Sequence, residues 1–135
     1  MITLIDIYQE ENRYDILYQL LSERTEEQAI SHKQMPDYYD HVRFVDSIPY
    51  KNWYFIHAKS EKDYIGAVYL SKKNEIGIFI FNEYQGKCYG PMAVKALIDV
   101  SEGPFFANIN PLNTSSKKMF EWLGFEHIQD TYRYG

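Results

Sequence analysis

The sequence predicts a single α+β domain over residues 1–135, a mixed, mostly antiparallel sheet flanked by helices in the order β-α-α-β-β-β-α-β-α-β. Three observations carry this reading. Residues 75–81 alternate, with Ile76, Ile78 and Ile80 facing one way and Glu75, Gly77, Phe79 and Phe81 the other, the period of a strand. Residues 12–24 instead place Tyr14, Leu17, Tyr18 and Leu21 at the one-face spacing of a helix. No repeat, low-complexity tract or linker interrupts the chain, so nothing marks an internal domain boundary.

The remaining elements follow in order. Residues 2–8 alternate weakly and read as the first strand, ahead of the helix at 12–24. Met35-Pro36-Asp37 stops the chain, and Asp37 is placed to cap a second helix carrying Tyr38, Val42 and Val45 on one side. Residues 53–57 and 64–70 read as two strands, and Lys72-Lys73-Asn74 turns tightly into the strand at 75–81. Pro91 suits the first position of a helix over 92–100, where a missing N–H costs nothing. That helix is expected to end near Gly103-Pro104. Residues 105–110 read as a strand with Phe105, Ala107 and Ile109 on one side. Asn113 then caps a helix whose apolar face is Met119, Phe120 and Leu123. Gly124 closes it in the manner of a glycine just past a helix end, and residues 125–132 read as a last strand.

Composition narrows the class of protein. A mix of 45% hydrophobic and 24% charged residues is globular. A net charge of −5 argues against a nucleic-acid partner, which needs clustered Lys and Arg. Lys72-Lys73 and Lys117-Lys118 are short pairs that read as solvated faces. The single cysteine, Cys88, fits a reducing cytoplasm. The N-terminus lacks the pattern of a signal peptide, and no apolar run approaches the roughly 18 residues that span a bilayer. A cytoplasmic protein without a membrane partner is therefore expected. No grouping of His, Cys, Asp and Glu has metal-ligand spacing. Thirteen Tyr and eight Phe are many for this length, enough to furnish a cleft besides a core.

The chemistry concentrates at residues 75–90. An alternating strand runs into the glycine-bearing loop Gln85-Gly86-Lys87-Cys88-Tyr89-Gly90, and the loop opens a helix. Backbone N–H groups converging there, with the partial positive charge of a helix N-terminus, make a socket for a phosphate-bearing ligand.

This loop resembles the Gln/Arg-x-x-Gly-x-Gly/Ala loop of the GNAT superfamily, the acyl-CoA-dependent N-acetyltransferases. A second motif, Asn113-Thr114-Ser115-Ser116 followed by Phe120-Glu121-Trp122-Leu123-Gly124-Phe125, is similar to that family's Asn-x-x-Ala/Ser, aromatic and Leu-Gly-Phe series. The likeness covers residues 64–132 well and the first 60 only in the order of elements. It implies a GNAT fold and an acetyl-CoA-dependent N-acetyltransferase, with acetyl-CoA as co-substrate and no metal. Gln85, Gly86, Lys87, Cys88, Tyr89 and Gly90 would hold the CoA pyrophosphate. Backbone groups of Phe79, Ile80 and Phe81 would pair with the pantetheine arm, Asn113 and Ser116 would sit beside it, and Phe120 would flank the thioester. Two departures stand out. Cys88 replaces a middle glycine and implies either ordinary dihedrals or a shifted loop. Phe120 stands where a proton-donating Tyr is common, leaving Tyr89, Tyr132 or a water to protonate the thiolate.

Transfer to an amine needs a base and an oxyanion donor, the latter expected from a backbone N–H of residues 78–80 by the same resemblance. Glu75 is the first candidate base, beside the space left by Gly77; it reads equally as a carboxylate capping the 72–74 turn. Ser31, His32 and Lys33, between the first two helices, read either as an acceptor site with His32 as base or as a plain surface loop. His41 and His57 read as structural. Asn108 either binds the acceptor or CoA or satisfies backbone where strands splay, and Asn110 leans to the structural role. The expected acceptor is the primary amine of a small polar molecule, an amino sugar, nucleotide-linked as in bacterial surface-glycan assembly, being the best guess. A protein N-terminus or lysine, or a CoA-binding regulatory domain without turnover, are the alternatives. A homodimer is compatible with the family, though no residue marks its interface.

Overall fold

The computed structural model describes residues 1–24 and 35–135. Four antiparallel strands lie side by side in chain order: β1 (Ile2–Asp6), β2 (Asn52–Ala58), β3 (Gly66–Leu70) and β4 (Ile76–Ile80). A 3-10 turn at Ile7–Gln9 leads from β1 to helix α1 (Arg13–Ser22), and α2 (Tyr38–Asp46) precedes β2. Past β4 come a 3-10 turn at Asn82–Tyr84, α3 (Tyr89–Asp99) and α4 (Thr114–Trp122). The expected α+β fold class stands.

Alternation along the strands sends apolar side chains to both faces of the sheet, so both must be covered. Ile56, Val68, Leu70 and Ile76 point to one face, where Ala93, Val94 and Leu97 of α3 and Phe120 of α4 close a core. Ile7, Phe55, Ala67 and Phe81 pack on the other face against Leu17 and Leu20 of α1 and Val45 of α2. The sheet is thus the middle layer of three. Ile78 and Ile80 join the first core and Phe79 the second, as the alternation of 75–81 requires.

Capping also follows the sequence. The Asp37 carboxylate accepts from the Asp40 N–H at 2.8 Å, and the Asn113 amide oxygen accepts from the Ser116 N–H at 3.1 Å. Leu123-Gly124-Phe125 closes α4 as a Schellman turn. Gly124 takes φ +98°, its N–H donates to Glu121 O, and the Phe125 N–H donates to Phe120 O at 2.9 Å. The Phe125 ring then packs edge-on to Phe120 with centroids 5.1 Å apart, the apolar contact that accompanies this motif.

Three expectations need correction. Helix α3 opens at Tyr89, so Pro91 is its third residue; its missing N–H is still one of the helix's orphan donors. Residues 105–110 form no strand and make a single parallel bridge, Glu75 to Phe106. Residues 125–132 form no strand either, because among the described residues no neighbouring strand pairs with them.

His41 is structural, as expected. Its ring is 5% exposed, and Nε2 donates to the Tyr14 carbonyl at 3.1 Å, tying α2 to α1. Burial pushes its pKa below the ordinary value of 6.5. Between 6.5 and the lower folded value, the unfolded chain binds a proton that the folded chain refuses, so stability falls as pH drops through that window. Melting midpoints between pH 7.5 and 5.5 should decline more steeply for the wild type than for a His41→Gln variant, whatever the variant's absolute stability.

Candidate functional site

The site begins with the direction of backbone groups on β4. The Ile76 N–H donates away from β3 to Phe106 O at 2.7 Å, while Glu75 O and the Phe81 N–H turn towards β3, to Ser71 N and Ile65 O. In a strand, parity carries this along: residues 77, 79 and 81 spend their backbone groups on the β3 side. Ile78 and Ile80 present N–H and C=O to the outer edge, where the next segment has already splayed away after its single bridge. The backbone groups of Phe79 and Phe81 therefore face β3 and not the open edge on which the sequence reading expected them, whereas Ile80 faces that edge with its N–H, its carbonyl being met by Gln85. Ile78, which that reading did not name for this role, faces the same edge.

The splay opens a cleft of about 1120 Å³. It brings together Glu75, Phe79, Ile80, Gln85, Gly86, Cys88, Tyr89, Gly90, Asn108, Asn113, Ser116 and Phe120. At one end β4 runs into the 85–90 loop. Gln85 Nε2 donates to Ile80 O at 3.1 Å, tethering loop to strand, and Gly86 has φ +80°. Cys88 takes neither expected option: it adopts the left-handed conformation itself, φ +64° and ψ 18°, immediately before α3. The position thus demands the backbone of the glycine it replaces, at a strain of about 1 kcal/mol. The N-terminal turn of α3 carries no acidic side chain, so its positive end is open to an anion. Gly90 also lets α4 approach, since a Cβ there would meet Met119 Sδ at 3.1 Å.

Two loop side chains turn aside. Lys87 Nζ lies 3.4 Å from Glu61, and the Tyr89 hydroxyl donates to the same carboxylate at 2.7 Å. The Tyr89 hydrogen bond, helped by Lys87, holds Glu61 below the usual carboxylate range. Tyr89 thus spends its proton on Glu61, and Tyr132 stands 90% exposed outside the cleft. Phe120 is 4% exposed and belongs to the core as well as the cleft wall.

Glu75 sits at the root of the splay. Asn108 Nδ2 donates to its Oε2 at 2.6 Å and Ser71 Oγ to its Oε1 at 3.2 Å. Ser71 Oγ, not Glu75, caps the turn, accepting from the N–H of Glu75 at 2.9 Å and of Lys73 at 3.2 Å. Asn108 thereby aims the carboxylate. Asn110 takes the structural part: its side chain accepts from Leu112 N and its carbonyl from Asn113 N. The space above Gly77 is not empty. The Tyr69 ring lies over it, so a Cβ at Gly77 would meet that ring at about 2.0 Å, and Tyr50 stacks on Tyr69 with centroids 3.7 Å apart. Burial raises the pKa of both phenols and keeps them protonated. Glu23, Arg24, Phe44 and Pro49 complete this end. Tyr69 sits opposite Gly77 in the β3–β4 register, a clue that a strand alignment of the sequence offers.

Ser31, His32 and Lys33 lie outside the described residues. Among the described residues, no three His, Cys, Asp or Glu side chains gather as a metal site, and no helix is long and apolar enough to cross a membrane.

Comparison with known proteins gives a family. The model of the acetyltransferase (GNAT) domain matches residues 4–126. Among solved structures, a domain from Methanocaldococcus jannaschii superposes with a TM-score of 0.73 at 21% identity, covering 97% of this chain and 92% of that one. The spermidine/spermine N-acetyltransferase SpeG from Vibrio cholerae gives 0.73 at 17%, over 93% and 79% of the two chains. A putative acetyltransferase, yncA, from Salmonella typhimurium with its cofactor acetyl-CoA gives 0.66 at 16%, over 93% and 78%. No curated protein sequence matches the chain.

The strain at Cys88 can be measured. Cys88→Gly should raise stability by about 0.5–1 kcal/mol, the relief at positive φ less the entropy of a freer unfolded chain. The check is a shift of the denaturant midpoint at constant slope; a loss of stability would mean that the thiol packs in a way that outweighs its backbone.

Proposed function

Because the chain belongs to the GNAT acetyltransferase family and is an acyltransferase, we propose that it moves the acetyl group of acetyl-CoA to the primary amine of a small polar acceptor by direct attack. One observation carries the reading: the outer backbone edge of β4, where among the described residues no other backbone pairs with Ile78 or Ile80 and only the Ile80 carbonyl has a side-chain donor in Gln85, runs straight into a left-handed loop at the N-terminus of α3, in the same cleft as a carboxylate. The pantetheine amides add to that edge as an extra strand, and the pyrophosphate takes the backbone N–H groups around Gly86 and Cys88. Asn113 and Ser116 border the arm, and Phe120 packs beside the thioester. Lys87 and Tyr89 shape the loop through Glu61 instead of touching the anion.

The acceptor enters from the Tyr50–Tyr69 end. Glu75, aimed by Asn108, removes a proton from the ammonium, directly or through one water. The freed lone pair attacks the thioester carbon while the Ile78 or Ile80 N–H receives the developing oxyanion. The carbon–sulfur bond breaks, and the thiolate takes its proton from water, since Phe120 has none to give and Tyr89 is committed to Glu61. An amino sugar, nucleotide-linked, fits the acceptor end best: the aromatic pair offers a face to a sugar ring, and Arg24 offers charge to a phosphate. The cytoplasm is the expected setting.

Isothermal titration with acetyl-CoA, followed by a thiol-release assay over amino sugars, nucleotide-linked amino sugars, polyamines and peptide amines, tests this. Binding with release on a sugar amine is expected. Tight binding without release for any amine would favour a non-catalytic CoA-binding domain, a reading to which Phe120 lends weight; a peptide amine as best acceptor would move the assignment to protein acetylation. Glu75→Gln should lower kcat roughly 100- to 10,000-fold while leaving the acetyl-CoA dissociation constant unchanged.

A further inference from the structure

We propose that Glu23, at the C-terminal end of α1, is a positioning residue for the donor loop, holding its approach through the backbone N–H of Asn82. The inference rests on the reading that residues 85–90 take the pyrophosphate of acetyl-CoA. Glu23 lies 59 residues before Asn82, yet its Oε1 accepts from the Asn82 N–H at 2.7 Å. Asn82 opens the 3-10 turn between β4 and the loop, and the residue in the cap position, Phe81, makes no side-chain hydrogen bond to it. The cap is supplied from another element instead. A carboxylate there meets an orphan N–H with a charge-assisted bond, the stronger kind.

Asn82 passes the tether on. Its carbonyl accepts from the Gln85 N–H at 3.2 Å, and its Oδ1 accepts from Gln85 Nε2 at 3.3 Å. The same Nε2 donates to Ile80 O at 3.1 Å. The first residue of the loop is thus held on Asn82, and Asn82 on Glu23. At the far end Glu61 plays the matching part, accepting from the Tyr89 hydroxyl at 2.7 Å with Lys87 Nζ at 3.4 Å. Two carboxylates from outside the loop therefore hold its two ends. Between them, among the described residues, no backbone carbonyl accepts from the N–H of Gly86, Lys87 or Cys88, the groups that face a diphosphate. A loop ordered in advance loses less freedom when the anion arrives.

The tether also joins the two halves of the cleft. Glu23 and Arg24 are consecutive, and both line it. Glu23 reaches the donor side, while Arg24 lies within electrostatic reach of the Tyr50 and Tyr69 phenols at the aromatic end. Leu17 and Leu20 anchor α1 in the second core, each 5% exposed, so the helix end cannot shift without disturbing that core. One rigid helix end therefore sets the spacing between the two halves.

Titration of acetyl-CoA into the wild type, Glu23→Ala and Glu23→Gln tests the proposal. Glu23→Ala should weaken binding about 10-fold, the size of one lost hydrogen bond to a charged group. Glu23→Gln should stay within about 3-fold of the wild type, because its amide oxygen still accepts from Asn82. S-acetylpantetheine, which lacks the diphosphate, should bind all three alike, since the first core holds the Ile78–Ile80 edge. In the unliganded protein the Asn82 amide should exchange with deuterium about 10-fold faster in Glu23→Ala than in the other two. A wild type that binds no acetyl-CoA would overturn the donor-site reading and this inference together. Wild-type binding that Glu23→Ala matches would overturn this inference alone. So would an equal loss for S-acetylpantetheine, or a Glu23→Gln protein as weak as Glu23→Ala.

Discussion

The single bridge between Glu75 and Phe106 is the constraint on which the cleft depends. It anchors the 105–110 segment to β4 at one point and then releases it, so the ladder ends where a fifth strand would normally continue. A strand without a lateral partner leaves backbone donors and acceptors exposed, which is costly in a core and useful in a binding site. Here those groups are the N–H and C=O of Ile78 and the N–H of Ile80, with both side chains packed in the first core. The edge is therefore rigid, because a buried apolar layer holds it from below. The same bridge sets Asn108 opposite Glu75, so the carboxylate and the open edge share one cause.

Much of this was legible in the residues. The alternation of 75–81 stated which residues of β4 face which way, and Asn113 with Gly124 marked both ends of α4. The loop at 85–90 announced an anion socket through its glycines and the helix behind it. These signals are local: each depends on a few neighbours and the period of one element. The direction of β4's backbone groups is different. It depends on which strand pairs first and in what register, and a shift of one residue would have offered Phe79 and Phe81 instead. The Tyr69 ring over Gly77 escaped notice for the same reason, since it belongs to a cross-strand pair. The strand expected at 105–110 was read from its alternation and the one at 125–132 from its place after Gly124, but a strand exists only where another backbone answers it.

Strain marks the two ends of the cleft. Cys88 holds left-handed backbone at the loop, and Ile48, a β-branched residue, does so at φ +51° just before Pro49 and Tyr50 on the aromatic side. Non-glycine residues persist there only when their surroundings over-determine them. At Cys88 the surroundings are Gly86, the Gln85 tether to Ile80 and the start of α3. At Ile48 they are the end of α2, where Ser47 N–H groups the carbonyls of Arg43 and Phe44, and the turn into β2.

The aromatic end also explains why the acceptor side is built differently from the donor side. In the proposed reaction CoA would be met by backbone, which tolerates almost any side chain and so survives low sequence identity. The acceptor would be met by Tyr50, Tyr69, Arg24 and Glu75, whose identities would decide what fits. Tyr69 is clamped between Gly77 and Tyr50, so it cannot swing aside for a bulkier group. Replacing Gly77 would evict it, whereas Tyr50 stacks on Tyr69 and is edged by Phe44 and Trp53. Under the proposed function, selectivity for the acceptor rests on a stack whose inner member is fixed by a glycine and whose outer member packs, among the described residues, against other rings. Changes to Tyr50 should then retune the acceptor without disturbing the Ile78–Ile80 edge.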